Sequence, residues 1–321
     1  MPDYSGTRAT PRLDLGVALM EFLDQQSDFI GPQAFPVFKS NLKSAAYSAI
    51  TRESLAQTGD TKRSQRGNYN RGSFGAKDKT FACVENGWEQ PLSDDERKLY
   101  SRDFDAEFAA TKIAEGVVLR NQEARIAAKV FDTAVFTGSS LYLDVSSSAP
   151  WTTVGSAIKS TITAGKAAMR ANCGMLPNAL ILNYTNVERL KATTEIKDAI
   201  KYTSFPSDDM LFSALASYFG VKKVLVGNAI KNSAKEGATF SGADIWSNLY
   251  AALAIVPDNA EDLSLPALGR TFLWTEDCPE NVFVEYYRDE TIRSDVFRTR
   301  QHTDENLIDK YFGFLIKVAA S

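Results

Sequence analysis

The strongest constraint in this sequence is the run from Ser93 to Phe136, which contains one glycine, Gly116, and no proline. Its start carries a capping signature. Ser93 can accept from the free N–H groups of a first turn, and Glu96, three residues on, can reach back. Asp94 and Asp95 place negative charge at the positive end of a helix dipole. Apolar side chains then recur at spacings of four, Phe104 with Phe108, Ala109 with Ile113 and Ala127 with Phe131, which stacks them on one helical face. Gly138 follows as a stop signal. The pattern predicts a spine helix over 93–136, about 60 Å long at about 1.5 Å per residue. The alternative is two helices broken near Gly116, because glycine costs about 1 kcal/mol in a helix interior. Either way, a rod with one apolar stripe requires other elements to lie along it.

At 321 residues the chain can support two or three core-bearing lobes. Lys and Arg total 36 against 40 Asp and Glu, a formal net charge of −4. That balance argues against a nucleic-acid grip over the whole chain. Mean hydropathy is −0.23, and no apolar run approaches the roughly 20 residues of a membrane span, so no membrane contact is expected. The first residues lack an apolar core segment, which predicts no secretory signal. Cys83, Cys173 and Cys278 lie far apart, without metal-ligand spacing, and are expected to be idle thiols. The single histidine, His302, sits in RQHTDEN and is expected to be a solvated turn residue. No phosphate loop, dinucleotide fingerprint or nucleophile elbow occurs. The expectation is a protein with no catalytic residues, no cofactor and no metal.

Along the chain, residues 1–36 read as an arm. Leu13, Val17, Met20 and Leu23 have helical spacing, predicting a short helix from about Leu13 to Gln26. Phe29, Ile30, Phe35 and Phe38 follow as an aromatic cluster, either a flap on its own core or an arm that docks on a neighbour. Residues 37–91 read as an extended hairpin. Its middle, Thr58 to Thr80, carries Lys62, Arg63, Arg66, Arg71, Lys77 and Lys79 against Asp60 and Asp78. Such a segment buries too little apolar surface to order itself, so an outside partner is expected to hold it.

After the spine, Thr152 to Arg170 reads as a helix and Ala179 to Leu182 as a strand. Thr185 with Glu188 is expected to cap a short helix, and Ser207 or Asp208 to cap another ending at Gly220. Val221 to Val226 and Asp244 to Val256 read as strands, completing an α/β lobe. The tail from Asn281 holds a long strand-like run, a polar turn near Thr303 to Asn306, and a return from Tyr311 to Val318.

The order of these parts resembles the major capsid proteins of tailed bacteriophages, the HK97-fold family. The strings that carry the resemblance are FIGPQAFPVF, a long basic hairpin, a return ending in GWEQPLSDDERK, the long helix, PNALILNYTNVERLK, FSALASYFGVKKVLVGNA, ADIWSNLYAALAIV and the C-terminal DKYFGFLIKVAAS. Each is weakly specific alone, and the order is what resembles the family. The resemblance implies an α+β, HK97-like capsid fold. It would comprise an N-terminal arm (1–36), an extended β-hairpin loop (37–91), a peripheral domain (92–151 and 266–321) with the spine helix, and an α/β axial domain (152–265).

It implies a structural subunit that forms hexamers and pentamers of an icosahedral shell in the virion, made in the host bacterial cytoplasm. The partners implied are a separate scaffolding protein, a portal, a decoration protein, and packaged double-stranded DNA held by weak non-specific contacts. Some family members join a loop lysine to a neighbour's asparagine. Lys62, Lys77 and Lys79 are present here, but no partner residues match, so the crosslink is not carried over. Contacts between subunits are expected at Phe35, Phe38, Arg63, Arg66, Arg71, Phe74 and Trp88, and at the acidic start of the spine, Asp94, Asp95 and Glu96. The competing readings are an encapsulin-type nanocompartment shell, a soluble α/β enzyme, and a nucleic-acid binder acting through the 58–80 loop.

Overall fold

The computed structural model describes residues 10–11, 29–73, 75–100, 105–200, 208–235 and 237–320. The helix expected over Leu13 to Gln26, the cap at Ser207 and the contact residue Phe74 lie outside the described residues. In chain order the elements are β1 (Thr10–Pro11), α1 (Gly31–Ala34), β2 (Val37–Ser40), β3 (Ser44–Ile50), α2 (Arg52–Leu55), β4 (Ala76–Ala82), β5 (Val84–Ser93), α3 (Asp94–Tyr100), α4 (Ala106–Val130) and β6 (Tyr142–Asp144). There follow α5 (Ile158–Cys173), β7 (Ala179–Asn183), α6 (Tyr184–Ala192), α7 (Thr194–Ile200), α8 (Asp208–Phe219), β8 (Lys223–Gly227), β9 (Ile230–Asn232), β10 (Gly242–Asp244) and β11 (Tyr250–Ala254). The chain closes with β12 (Gly269–Trp274), β13 (Phe283–Asp289), β14 (Ser294–Leu307), a 3-10 turn (Lys310–Phe312) and β15 (Gly313–Lys317).

A five-stranded sheet in the order β6-β15-β11-β7-β8 forms the centre of one lobe. Its strands alternate between two cores. Leu180, Leu182, Ala251, Leu253, Phe314 and Ile316 face α5, α6 and α8. Ala179, Ile181, Ala252, Ala254 and Leu315 face α1, the end of α4 and Trp246. Both faces are buried, so the strands read as near-continuous apolar runs, and each buried Leu, Ile or Phe contributes about 1.5–3 kcal/mol. The tail strand β15 pairs with β11 and β6 inside this sheet. The C-terminal strand and residues 142–144 therefore lie in this five-stranded sheet.

The second lobe is built on β14. It pairs along one side with β13 and then β12, and along the other with β5. α4 lies across one face, with Ala106 and Ala110 on Phe297 at one end and Arg125 on Glu305 at the other. The single 93–136 rod is therefore corrected. α3 ends at Tyr100, and α4 starts afresh on its own N-cap, Asp105, which accepts from Glu107 N at 3.1 Å and Phe108 N at 3.2 Å. The break is not at Gly116, which is buried inside α4. Packing on the sheet outweighs the glycine cost there. α4 stops at Val130, where Asp132 accepts from Ala134 N and turns the chain.

Other boundaries shift for local reasons. Asn183, not Thr185, caps α6, accepting from Thr185 N at 2.6 Å. The tail's turn lies at Glu290–Arg293, where Arg293 has φ 48°. Thr303 to Asn306 stay within β14 because their polar groups find partners across the sheet: Ala82 N donates to Asp304, and Asn306 donates to Thr80 O. The run from Asp244 to Val256 is divided between β10 and β11.

Candidate assembly surfaces

The arm end belongs to its own core. Ile30, Ala34 and Phe35 are buried, β2 pairs in parallel with β12, and the Phe35 ring lies on Gly269, where a Cβ would sit 2.3 Å from it. Phe35 is 0 % exposed, which leaves it no surface for a neighbour. Phe38 is half-buried and packs edge-on against Phe272 at 5.6 Å. The flap reading therefore holds for 29–40.

The hairpin is held in three different ways. At its base, Phe81 stacks on Phe272 at 4.3 Å, Tyr47 joins them at 5.6 Å, and Cys83 is buried beneath. In the middle, the Arg52 guanidinium lies 3.6 Å over the Tyr311 ring and donates to Asn172 O at 3.1 Å. Lys79 donates to Ile308 O. At the tip there is only local chemistry. Arg63 donates to Gly67 O at 2.7 Å and lies over Tyr69, while Asn70 donates to Asp60 O. Residues 57–66 are all exposed, and so are Arg66 and Arg71. The expectation of outside support is thus narrowed: the chain braces its own hairpin up to α2 and β4, and the tip projects uncovered.

The acidic start of the spine divides among roles. Asp94 takes a bidentate pair from Arg288 at 2.6 and 2.8 Å, and this hydrogen bond holds its carboxyl below the usual range. Arg288 also reaches Asp295 at 3.3 Å, and Arg97 ties Asp295 to Glu107. Glu96 closes the expected capping box, accepting from Ser93 N at 3.0 Å while Glu96 N donates to Ser93 Oγ at 3.2 Å. Asp94 is therefore committed within its own chain, and Asp95 stays exposed. Trp88 is 48 % exposed on β5, a strand with no second strand partner among the described residues.

On the sheet face away from α4 lies a cluster that sequence reading missed. His302 is 4 % exposed within β14, and its Nδ1 bonds Asp277. It is not a solvated turn residue. Asp277 also receives Arg300, whose Nη2 donates to Glu285 at 2.8 Å and whose Nη1 lies 3.5 Å from Cys278 Sγ. Burial pushes the Cys278 thiol up to about 12. Asp277, Cys278 and His302 present three metal-type donor atoms within 4.8 Å of one another. Arg300 supplies the cation at the same Asp277 oxygen, so the cluster is charge-compensated as it stands and does not fit a metal. The spacing 277–278…302 gave no motif, because the strand pairing brings its two ends together.

No family model matches this chain. It is 26 % identical over 233 residues to the major capsid protein of Burkholderia phage BcepMu, covering 72 % of each chain. Among solved structures, it superposes on a phage-related protein from Bordetella bronchiseptica RB50 with TM-score 0.70 and 22 % identity, over 97 % of this chain and 98 % of that one. It superposes on the capsid structure of cyanophage P-SCSP1u with TM-score 0.55 and 10 % identity, over 100 % and 93 %. It also superposes on a virus-like particle from Pyrococcus furiosus with TM-score 0.56 and 11 % identity, over 95 % and 98 %. The chain therefore has the HK97-like fold of phage major capsid proteins, the family it resembles in sequence.

Proposed function

We propose that the protein is a phage major capsid protein whose copies associate as hexamers and pentamers into an icosahedral shell around double-stranded DNA. The observation that carries this reading is the hairpin. Its base and middle are rigidly braced on the chain's own body, while its basic tip extends uncovered. A brace of that kind costs ordering entropy, and a second copy that covers the tip would offset it. Shells require such extended contacts, because one compact patch closes only one symmetry. The similarity to the BcepMu capsid protein over most of both chains supports the same reading.

In this scheme the sheet centred on β14 with α4 is the peripheral domain, and the sheet centred on β11 and β15 is the axial domain. Arg66, Arg71, Trp88 and Asp95 are the exposed candidates for contact between subunits. Scaffolding, portal and decoration proteins are expected partners, and the virion is the expected location. The nanocompartment reading draws support from the P. furiosus virus-like particle, which has the same fold. Electron microscopy of purified protein and assay of the contents test both. Closed shells filled with DNA support the capsid, and shells filled with protein cargo support the compartment. A protein that is functional only as a compact monomer would overturn both.

A further inference from the structure

Among the described residues, three side chains of α4 and β14 are buried with no partner for any polar atom. They are Glu115 (both carboxyl oxygens), Thr299 (Oγ1) and Gln301 (both amide atoms). Glu115 is 1 % exposed, and Thr299 and Gln301 are 0 % exposed. Phe297 and Glu305 both face α4, so Thr299 and Gln301, which alternate with them along the strand, face it too. From Phe297 to Glu305 the strand advances about 26 Å at about 3.3 Å per residue. From its contact at Ala110 to that at Arg125, the helix advances about 22 Å at about 1.5 Å per residue. The two elements run in step, which sets Glu115 just past the level of Thr299 and short of Gln301.

Among the described residues, burial is the one cause that moves the Glu115 carboxyl, and the charges on the elements around it are engaged elsewhere or exposed. On the helix-facing layer of β14, Asp295 is held by Arg97 and Arg288, and Glu305 by Arg125. β5 presents Asn86 and Trp88 there, opposite Gln301 and Thr299. β13 presents Val284 and Tyr286, and beyond them Arg288, which is engaged with Asp94 and Asp295. On α4, Lys112 and Arg120 are exposed. Arg298, Arg300 and His302 lie on the opposite face with Glu285 and Asp277.

We propose that Glu115, Thr299 and Gln301 form a proton-dependent latch holding the middle of α4 on the sheet. A protonated carboxyl and the carbonyl edge of a primary amide are complementary, each offering one donor beside one acceptor, so a side-chain rotation pairs Glu115 with Gln301 reciprocally. Ionised Glu115 offers only acceptors, leaving the Gln301 carbonyl unpaired and a buried carboxylate with only neutral donors near it. The layer then admits water, and the middle of the helix loosens. Burial pushes the Glu115 carboxyl up to about 8, so both forms occur near neutrality. The latch belongs to the single subunit and does not depend on the shell reading.

The test is amide hydrogen exchange on the full-length protein and on Glu115→Gln at pH 6 and pH 9, corrected for intrinsic exchange rates. Wild-type protection across the middle of α4 should fall at least tenfold by pH 9. Glu115→Gln keeps the shape and a donor at every pH, and its protection should not change. Equal pH dependence in both proteins would overturn the latch. Infrared spectroscopy tests it further: a protonated carboxyl band at pH 7 that is present in the wild type and absent from Glu115→Gln supports it, and loss of every such wild-type band by pH 5 overturns it.

Discussion

Glu123 accepts the indole N–H of Trp246 at 2.7 Å, joining α4 to the lobe of the five-stranded sheet through a bond between two buried side chains. The same carboxyl accepts from Ile30 N at 2.9 Å and Gly31 N at 2.7 Å. One buried group thus gathers α4, the arm end and the loop before β11. Only glycine permits the approach at position 31, since a Cβ there would sit 2.4 Å from Glu123 Oε2. Burial raises the Glu123 carboxyl above its ordinary range against the pull of these three donors.

Glu123→Ala should therefore destabilise the protein by about 3–5 kcal/mol, because three buried N–H groups lose their acceptor together. Glu123→Gln keeps one acceptor and should cost about half as much. Chemical denaturation measures both. A loss under about 1 kcal/mol for the alanine variant would show that the junction is held elsewhere.

The contact of Phe35 with Gly269 predicts coupling between the arm end and β12. Gly269→Ala should cost about 1–3 kcal/mol by overpacking, and Phe35→Ala about 3–5 kcal/mol through the cavity it leaves. Removing the ring makes room for the methyl group, so the double variant should lose less than the sum. Strict additivity would contradict the contact.

Acid stability should depend on Arg125. Burial alone would raise the Glu305 carboxyl, but the Arg125 pair at 2.8 and 2.9 Å prevails and holds it below its ordinary 4.5. A depressed folded-state pKa contributes stability that is present above 4.5 and lost as pH falls through the folded value. Arg125→Met leaves the buried carboxylate unpaired, at a cost of about 2–4 kcal/mol near neutrality. In that variant burial should raise the Glu305 pKa, so mild acidification should restore stability where it weakens the wild type. Thermal unfolding between pH 4 and 7 distinguishes the two slopes. Parallel curves would rule the ion pair out as the cause.

Charge reversal at the hairpin tip separates folding from assembly. Arg66→Glu with Arg71→Glu alters two exposed residues, so helix content of the subunit should be unchanged. Each surface pair with a neighbour is worth only about 0–1 kcal/mol, but a shell repeats it at every copy, so particle yield or heat resistance should fall. Sedimentation and negative-stain microscopy report the outcome. Normal yields of stable particles would show these arginines to be solubilising only.

Local periodicity was legible from the residues alone. The amphipathic helix α5, the apolar strand β7 and the Ser93–Glu96 capping box each depend on neighbours a few positions away and appear as read, whereas the stripe read for the spine fails at Ile113, which is 53 % exposed while Ala106, Ala110 and Ala114 are buried. The α+β, HK97-like fold was implied by a resemblance that the order of those elements carried. What the residues alone left undecided depends on partners far along the chain. The spine breaks at Asp105, not Gly116, because α4 must lie flat on β14, which begins at Ser294. Phe35 lost its expected place at a subunit contact because Gly269 opens a site for its ring. His302 and Cys278 look solvated or idle in their local strings, yet strand pairing closes them around Arg300. Glu115 reads as one more charge on a helix until β14 removes its water. Secondary structure follows backbone geometry and a period of two or 3.6 residues, whereas desolvation of a charged group is set only when two distant elements meet.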